Sequence, residues 1–309
     1  MSRMTAEIIH CNEIATIIPV KDNQQGIERL LASFFETTDK KFYPRAIIVV
    51  DNNSTKPIEI PKNFMQSDVT ITSISCPKKG AGNARNEGAK LAKNHGARWL
   101  HFIDSDCLFT ENTLAGYIKD ANNHAIAYQG SVRAAGNDWL SIFYDANQIL
   151  NPIPNFEDGI LQGPLYLVTV NALVNLDAFE EVGGFDETFT VAAEDVDLGY
   201  RLATLGTLSY ASSSLVKHDY LNGDHTVKNK HVLDLVKRFK KYGNGEKPIL
   251  KKYGNKLKTF EETLALQLHQ ESPKISGSVL MSLGCVAFTE GVFQDLSEDL
   301  REHINSEIA

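Results

Sequence analysis

Residues 14–51 read IATIIPVKDNQQGIERLLASFFETTDKKFYPRAIIVVD, and their pattern decides the fold. Ile14–Val20 and Arg45–Asp51 are short, β-branched and almost continuously apolar, which predicts strands covered on both faces in a parallel sheet. Each ends in a polar turn, at Lys21-Asp22-Asn23 and Asn52-Asn53-Ser54. Between them Gly26–Phe35 spaces its apolar residues at helical intervals, so the unit reads β-α-β. Working outward, Val69–Cys76 predicts a third strand, Ala81–His95 a helix and Trp99–Asp104 a fourth strand. Strands alternating with helices over the first hundred residues imply an open, doubly wound α/β sheet.

Later elements are less regular. Ala125–Val132, Leu165–Val174 and Leu208–Val216 predict strands and Glu194–Leu205 a helix, and from about Thr226 the pattern is helical and strand-poor. The expected organisation is an α/β domain over residues 1–225 followed by a helical extension over 226–309. KKYGN occurs at 240–244 and again at 251–255, but two copies do not make a repeat protein. Residues 276–293 are the most apolar late stretch. Glu290 and the interspersed glycines and serines make it too interrupted for a membrane span, so it predicts a buried helix, with an interfacial helix as the alternative.

The chain has 309 residues, 42% hydrophobic and 23% charged, which excludes disordered, collagenous and coiled-coil classes. Cys11, Cys76, Cys107 and Cys285 are scattered without a CxxC pair and read as free thiols in a reducing compartment. Glu7, His10, Asn12 and Glu13 interrupt every candidate leader core, so the chain is expected to stay in the cytoplasm. Net charge is −8, yet Lys217–Lys258 carries twelve Lys and Arg against four acids. An acidic body with one basic segment argues against nucleic acid as the partner and for a localised anion, a phosphate or an anionic membrane surface touched peripherally. A solvated lysine-rich helix face is the plain alternative.

Ligands of open α/β sheets bind outside the carboxyl ends of the strands. Asp22 follows the first strand there, Asp51 ends the second, and Asp104 and Asp106 end the fourth. Residues two apart on a strand share a side, so the Asp104-Ser105-Asp106 carboxylates are expected to converge on one hard cation, Mn²⁺ or Mg²⁺. A cap or turn role is the plain reading of each acid taken singly. Glu194-Asp195-x-Asp197 opens a predicted helix, where acids suit the dipole; one of them facing the cleft would be a general base, while Asp197 and Arg201 are spaced to pair on the helix. His218 follows the last strand and would be a ligand only in partnership with Asp106. The loop Pro77–Asn86 is basic and glycine-containing and leads into a helix, an arrangement that can hold phosphate. Neither GxGxxG nor GxxxxGK[ST] occurs at these turns, which disfavours a dinucleotide dehydrogenase and a P-loop NTPase.

In order, the chain carries TIIPVKDN (16–23), IIVVDNNST (47–55), KKGAGNARNEG (78–88), FIDSDC (102–107), VNALVNLDAFEEVGGFDETF (170–189), AAEDVDLGYRLATLG (192–206) and VKHD (216–219). This set resembles family 2 inverting glycosyltransferases of the GT-A fold, over roughly residues 13–220. The resemblance implies a Rossmann-like nucleotide-sugar half at about 13–107, an acceptor half at about 108–225, and a mostly parallel twisted sheet. It implies that Pro19, Val20 and Asp22 help hold the nucleotide base, that Asp51 contacts base or ribose, and that Arg85 approaches the nucleotide. Asp104 would reach the ribose or the metal, Asp106 and His218 would ligate the metal, and Asp195 would be the catalytic base with Glu194 beside it in acceptor binding. Asn171 and Gly184 match positions lining the donor-sugar and acceptor cleft. The partners implied are a nucleotide sugar, most often a UDP-sugar, and a saccharide or lipid-linked acceptor in surface glycan biosynthesis. One departure is VDNNST where many members have VDDGST, leaving a single acid there. A sugar nucleotidyltransferase and a non-catalytic nucleotide-sugar-binding protein are the competing readings of the same fold.

Overall fold

The computed structural model describes residues 9–121, 125–152, 154–157, 160–223 and 229–253. The apolar runs of the first hundred residues are strands: β1 (Ile14–Val20), β2 (Ala46–Asp51), β3 (Thr70–Ser75) and β4 (Trp99–Ile103). Every residue of β1, β2 and β4 is buried, as expected of strands with helices on both faces, whereas β3 at the sheet edge alternates in exposure. The strands that follow are β5 (Cys107–Phe109), β6 (Ala125–Ala134), β7 (Pro154–Glu157), β8 (Ile160–Pro164), β9 (Asn171–Asn175) and β10 (Thr207–His218). The helices are α1 (Gln24–Thr37), α2 (Lys62–Met65), α3 (Ala81–Asn94), α4 (Asn112–Asp120), α5 (Trp139–Ala146), α6 (Leu176–Glu181), α7 (Glu194–Ala203) and α8 (Asn229–Tyr253).

Eight strands form one sheet in the order β3-β2-β1-β4-β9-β6-β10-β5, and β7-β8 is a separate hairpin. Pairing is parallel from β3 through β4 and between β6 and β10, but β9 runs antiparallel to both β4 and β6, and β5 runs antiparallel to β10. The second half is therefore mixed rather than doubly wound. Period-two alternation along β1 supplies both core layers. Ile14 and Ile18 face a layer with Leu30, Leu31 and Phe34 of α1 and Tyr117 of α4, and Ala15 and Ile17 face one with Ala84 and Ala89 of α3, Phe179 of α6 and Leu198 of α7.

Leu165–Val174 is strand only from Asn171; the segment before it is a loop. The reason is in its amides: Val168 N–H donates to Gln129 Oε1 at 2.8 Å and Thr169 N–H to Asp195 Oδ2 at 3.2 Å, so side chains replace a strand partner. Cys11, Cys76 and Cys107 are free and buried, and burial pushes the Cys11 thiol up to about 12. Cys285 and the apolar stretch 276–293 lie outside the described residues.

The chain divides into two units, Met1–Thr190 with Glu194–Val227, and Val191–Ala193 with Lys228–Ala309. In the second unit, α8 buries Leu235, Phe239 and Ile249 and exposes Lys237, Lys241, Lys251 and Lys252, so these four lysines of the basic segment lie on the exposed face of an amphipathic helix. No helix among the described residues is long and apolar enough to cross a membrane.

Candidate active site

Strand direction gathers the acids. Because β1, β2 and β4 are parallel, their carboxyl ends bring Asp22, Asp51 and Asp104 to one edge of the sheet. Two antiparallel pairings, β4 with β9 and β9 with β6, return β6 to the direction of β4, and β10 is parallel to β6, so His218 at the end of β10 reaches the same edge.

Arg85, on the second turn of α3, is the centre of the constellation. Its side chain is 3% exposed, with Nη2 donating to Asp104 Oδ1 at 2.7 Å and Nη1 to Glu194 Oε1 at 2.8 Å. One planar guanidinium thus fastens the turn after β4 to the first residue of α7, a task for which a lysine has no fork. The approach is close because Gly82 has no side chain: a Cβ there would lie 3.3 Å from Glu194 Cγ and 3.1 Å from Phe185 Cβ. Burial favours losing the charge, but Asp104 and Glu194 outweigh it, and the Arg85 pKa is raised. Burial likewise raises Asp104, with Arg85 opposing.

Asp104 and Asp106 do not converge. Strand β4 stops at Ile103, and the DSD triplet is a turn in which Cys107 N–H donates to Asp104 O at 3.1 Å, so the alternation of a strand no longer applies. Asp104 turns to Arg85, and Asp106 Oδ2 lies 3.3 Å from His218 Nε2. That second contact follows from register, since β5 pairs with β10 so that Cys107 opposes His218, and Asp219 N–H donates to Asp106 O at 2.8 Å. Asp104 is thereby paired with Arg85 in this structure, and among the described residues no group of three or more His, Cys, Asp or Glu is arranged to hold an ion. A carboxylate beside an imidazole is nevertheless a donor pair suited to Mn²⁺ or Mg²⁺ whose other ligands are diphosphate oxygens and water.

Asp195 is held at the mouth of α7. Oδ2 accepts from Thr169 N–H at 3.2 Å and from Thr169 Oγ1 at 3.4 Å, and Oδ1 from Val196 N–H at 2.9 Å. Burial and then the Glu194 carboxylate push its pKa up to about 6, with Arg85 restraining the rise. Asp197 is different: it is fully buried, and Arg201 grips its Oδ2 through Nε at 2.8 Å and Nη2 at 2.7 Å, the within-helix pair its spacing predicts.

Asp22 and Asp51 hold the loops at this edge. Asp51 Oδ1 accepts from Ser54 N–H at 2.9 Å and Oδ2 from Ile58 N–H at 3.1 Å; burial acts to raise its pKa, and these hydrogen bonds more than offset it. Asp22, with φ 52°, accepts from Thr55 N–H at 2.6 Å, and Ser54 Oγ accepts from Asp22 N–H at 2.9 Å, joining the turns after β1 and β2. Pro19 and Val20 precede that turn as the last residues of β1. Asn52, the departure from VDDGST, donates through Nδ2 to Lys78 O at 2.6 Å and accepts from Gly80 N–H at 3.1 Å. An aspartate offers no such donor, so the asparagine suits the loop leading into α3. In that loop Lys78 pairs with Glu187 at 2.7 Å.

Two residues expected on the cleft wall are interior instead. Asn171 is 0% exposed: its Oδ1 accepts from Tyr117 Oη at 2.8 Å and meets His101 Nε2 at 3.2 Å, and its Nδ2 donates to Ser131 O at 3.0 Å and Ser214 Oγ at 3.3 Å. Its amide is spent on knitting β9 to its neighbours. Gly184 closes α6 with φ +70°, its carbonyl accepting from Arg201 Nη1 at 2.6 Å, and a Cβ there would lie 2.7 Å from Asn86 Oδ1. The sequence reading also missed Thr169 and Gln129, which bear directly on Asp195 and its loop. Gln129 is 1% exposed in β6, directly after the apolar run Ala125–Tyr128, and a polar residue at that place was the available signal.

The fold is an open α/β sheet that gathers a DSD turn and an acid pair opening a helix at one edge. The pattern of the Glycosyl transferase family 2 matches residues 15–183, and the chain belongs to that family. Glu194, Asp195 and His218 lie beyond the matched residues. The pre-mycofactocin glycosyltransferase of Mycobacterium tuberculosis is 27% identical over 256 residues, 79% of this chain and 49% of that protein. The poly(ribitol-phosphate) beta-N-acetylglucosaminyltransferase TarP of Staphylococcus aureus is 24% identical over 216 residues, 67% of this chain and 61% of that protein. The chain therefore spans about half the length of the mycobacterial relative and about three fifths of the staphylococcal one. Among solved structures, the mannosyltransferase PcManGT from Pyrobaculum calidifontis, in complex with GDP-Man and Mn²⁺, superposes with TM-score 0.53 at 14% identity, covering 96% of this chain and 79% of that one. GalNAc-T7 with UDP, GalNAc and Mn²⁺ gives TM-score 0.52 at 15% identity, over 94% and 57%. These likenesses show the GT-A glycosyltransferase fold.

Proposed function

We propose that this protein transfers a sugar from a nucleotide sugar, read as a UDP-sugar, to a saccharide or lipid-linked acceptor with inversion at the anomeric carbon. The observation that carries the reading is the Arg85 bridge, which joins the DSD turn to the helix bearing Glu194 and Asp195. In this reading Asp195 accepts the proton of the attacking hydroxyl. A carboxyl raised to about 6 is ionised at neutral pH yet basic enough to take that proton. Glu194 orients the acceptor beside it, and Asp22, Asp51, Pro19 and Val20 shape the base and ribose end through the loops they hold. Asp106 and His218 would hold a divalent cation, which when bound would supply charge stabilisation to a departing diphosphate. The relatives named glycosyltransferases and the neighbours solved with nucleotide sugars and Mn²⁺ support the assignment.

Asp195→Asn is the test. It is nearly isosteric and keeps the acceptor side of the Thr169 hydrogen bonds, so nucleotide affinity should stay within about twofold of wild type while transfer falls by about 10²-fold or more. Transfer at wild-type rate with normal nucleotide binding would overturn Asp195 as the base.

A further inference from the structure

The aromatic stack behind His218 has no part in the chemistry above. Tyr220 lies against His218 with ring centroids 4.2 Å apart and planes 28° apart, and Tyr144 of α5 lies against Tyr220 at 3.8 Å and 15°. The chain is built to hold Tyr220 there. After β10 ends at His218, Asp219 accepts from Leu221 N–H at 3.2 Å and Gly223 N–H at 2.8 Å, and its Oδ2 lies 3.3 Å from Arg29 Nε. Gly223, at φ +79°, and Asn222, at φ 53°, complete the turn. On the other side, α5 is fixed by Asp138, which caps Leu140 and Ser141 N–H at 3.0 Å each, and by Asp145, which accepts from Ala134 N–H at 2.7 Å. Tyr144, buried at 3% exposure, is thus anchored on a capped helix.

Resting on the reading of Asp106 and His218 as the cation's protein ligands, we infer that Tyr220, backed by Tyr144, is a positioning residue that fixes the plane of the His218 imidazole so that Nε2 stays directed to the side where Asp106 lies. An imidazole is a directional ligand, because its lone pair lies in the ring plane, and rotation about χ2 swings that lone pair off target. Faces stacked on a neighbouring ring remove that rotation, while the Tyr220 hydroxyl is not needed for it. Residues that orient ligands in this way typically change metal affinity 10- to 100-fold when removed.

The test is Mn²⁺ binding in the presence of UDP, measured by electron paramagnetic resonance titration, alongside UDP binding without metal by calorimetry. Tyr220→Leu is expected to weaken Mn²⁺ about tenfold while metal-free UDP affinity is unchanged, and Tyr220→Phe is expected to bind Mn²⁺ within about twofold of wild type. Tyr144→Leu, which leaves the Asp219 turn untouched, should give a smaller loss in the same direction and covers the case in which Tyr220→Leu does not fold. Wild-type Mn²⁺ affinity in a folded leucine variant, or equal loss in Tyr220→Phe, overturns the inference. Asp106→Ala and His218→Ala are the controls: if neither alters Mn²⁺ binding, the underlying assignment of the metal ligands fails instead.

Discussion

Arg85→Met removes the cation that two carboxylates share and leaves a side chain of similar length. Breaking one partner out of a buried pair costs about 3–5 kcal/mol. Asp104 is 30% exposed and Glu194 13%, so water can relieve part of the repulsion, which places the cost at the low end, about 3 kcal/mol. At about 2–4 °C per kcal/mol for a domain of this size, the melting temperature at pH 8 should fall by about 6–12 °C. The deficit should shrink as pH falls, because burial raises the Asp104 pKa and its protonation removes a charge left without its partner. The same change bears on catalysis. Asp195 titrates at about 6 folded, above an unfolded value of about 3.9, so the native state binds more protons between those limits, and this group's contribution to stability falls as pH rises through that window. Arg85 restrains that upward shift, so its loss should move the acid limb of the transfer rate upward from about pH 6. Arg85→Lys keeps the charge without the fork, and should restore the limb but not all of the melting temperature. Differential scanning fluorimetry and a pH–rate profile read both effects. A methionine variant that melts within about 2 °C of wild type at pH 8 with an unmoved acid limb would refute the reasoning.

Two further outcomes follow from packing. Gly116→Ala in α4 directs a Cβ into the backbone of Ser213 and Ser214 on β10, which cannot move aside as a side-chain tip can, so the variant should lose about 3 kcal/mol or fail to accumulate folded, read by denaturant midpoint. Asn171→Leu keeps the branched shape but removes the acceptor of Tyr117 Oη and the donors to the Ser131 carbonyl and Ser214 Oγ, and should cost about 3 kcal/mol in urea unfolding with UDP affinity of the folded fraction unchanged.

Strands β1, β2 and β4 were legible because burial on both faces leaves short runs that are apolar but for Thr16 and His101. The site was legible only as a set of acids. That Asp104 and Asp106 have different partners depends on β4 stopping at Ile103, one residue before the end of the predicted strand Trp99–Asp104, and on β5, whose three residues are too few to show a period. Leu165–Val170 reads as strand because its side chains are apolar, whereas its conformation is set by amides directed at Gln129 and Asp195, and amides leave no trace in a residue pattern. Asn171 and Gly184 show the limit of carrying roles over by motif position: a match locates a residue on the chain but not which way its side chain faces.

The turn after β4 explains how parts distant in sequence hold a common geometry. All three of its residues are tied, each to a different element. Asp104 is bound to Arg85 of α3 and through it to α7, Ser105 receives Asn23 Nδ2 on both its carbonyl at 3.4 Å and its hydroxyl at 3.3 Å, and Asp106 meets His218 at the end of β10. Asn23 is itself the cap of α1, accepting from Gly26 N–H at 3.0 Å. The proposed metal ligands and the proposed base are therefore referenced to one short turn rather than to separate loops. Their separation then depends on rigid strand and helix ends, as a displacement with reacting groups placed in line requires. It also gives the two carboxylates of the turn different partners: Asp104 is tied through Arg85 to the helix carrying the proposed base, and Asp106 to His218, its partner in the proposed cation site.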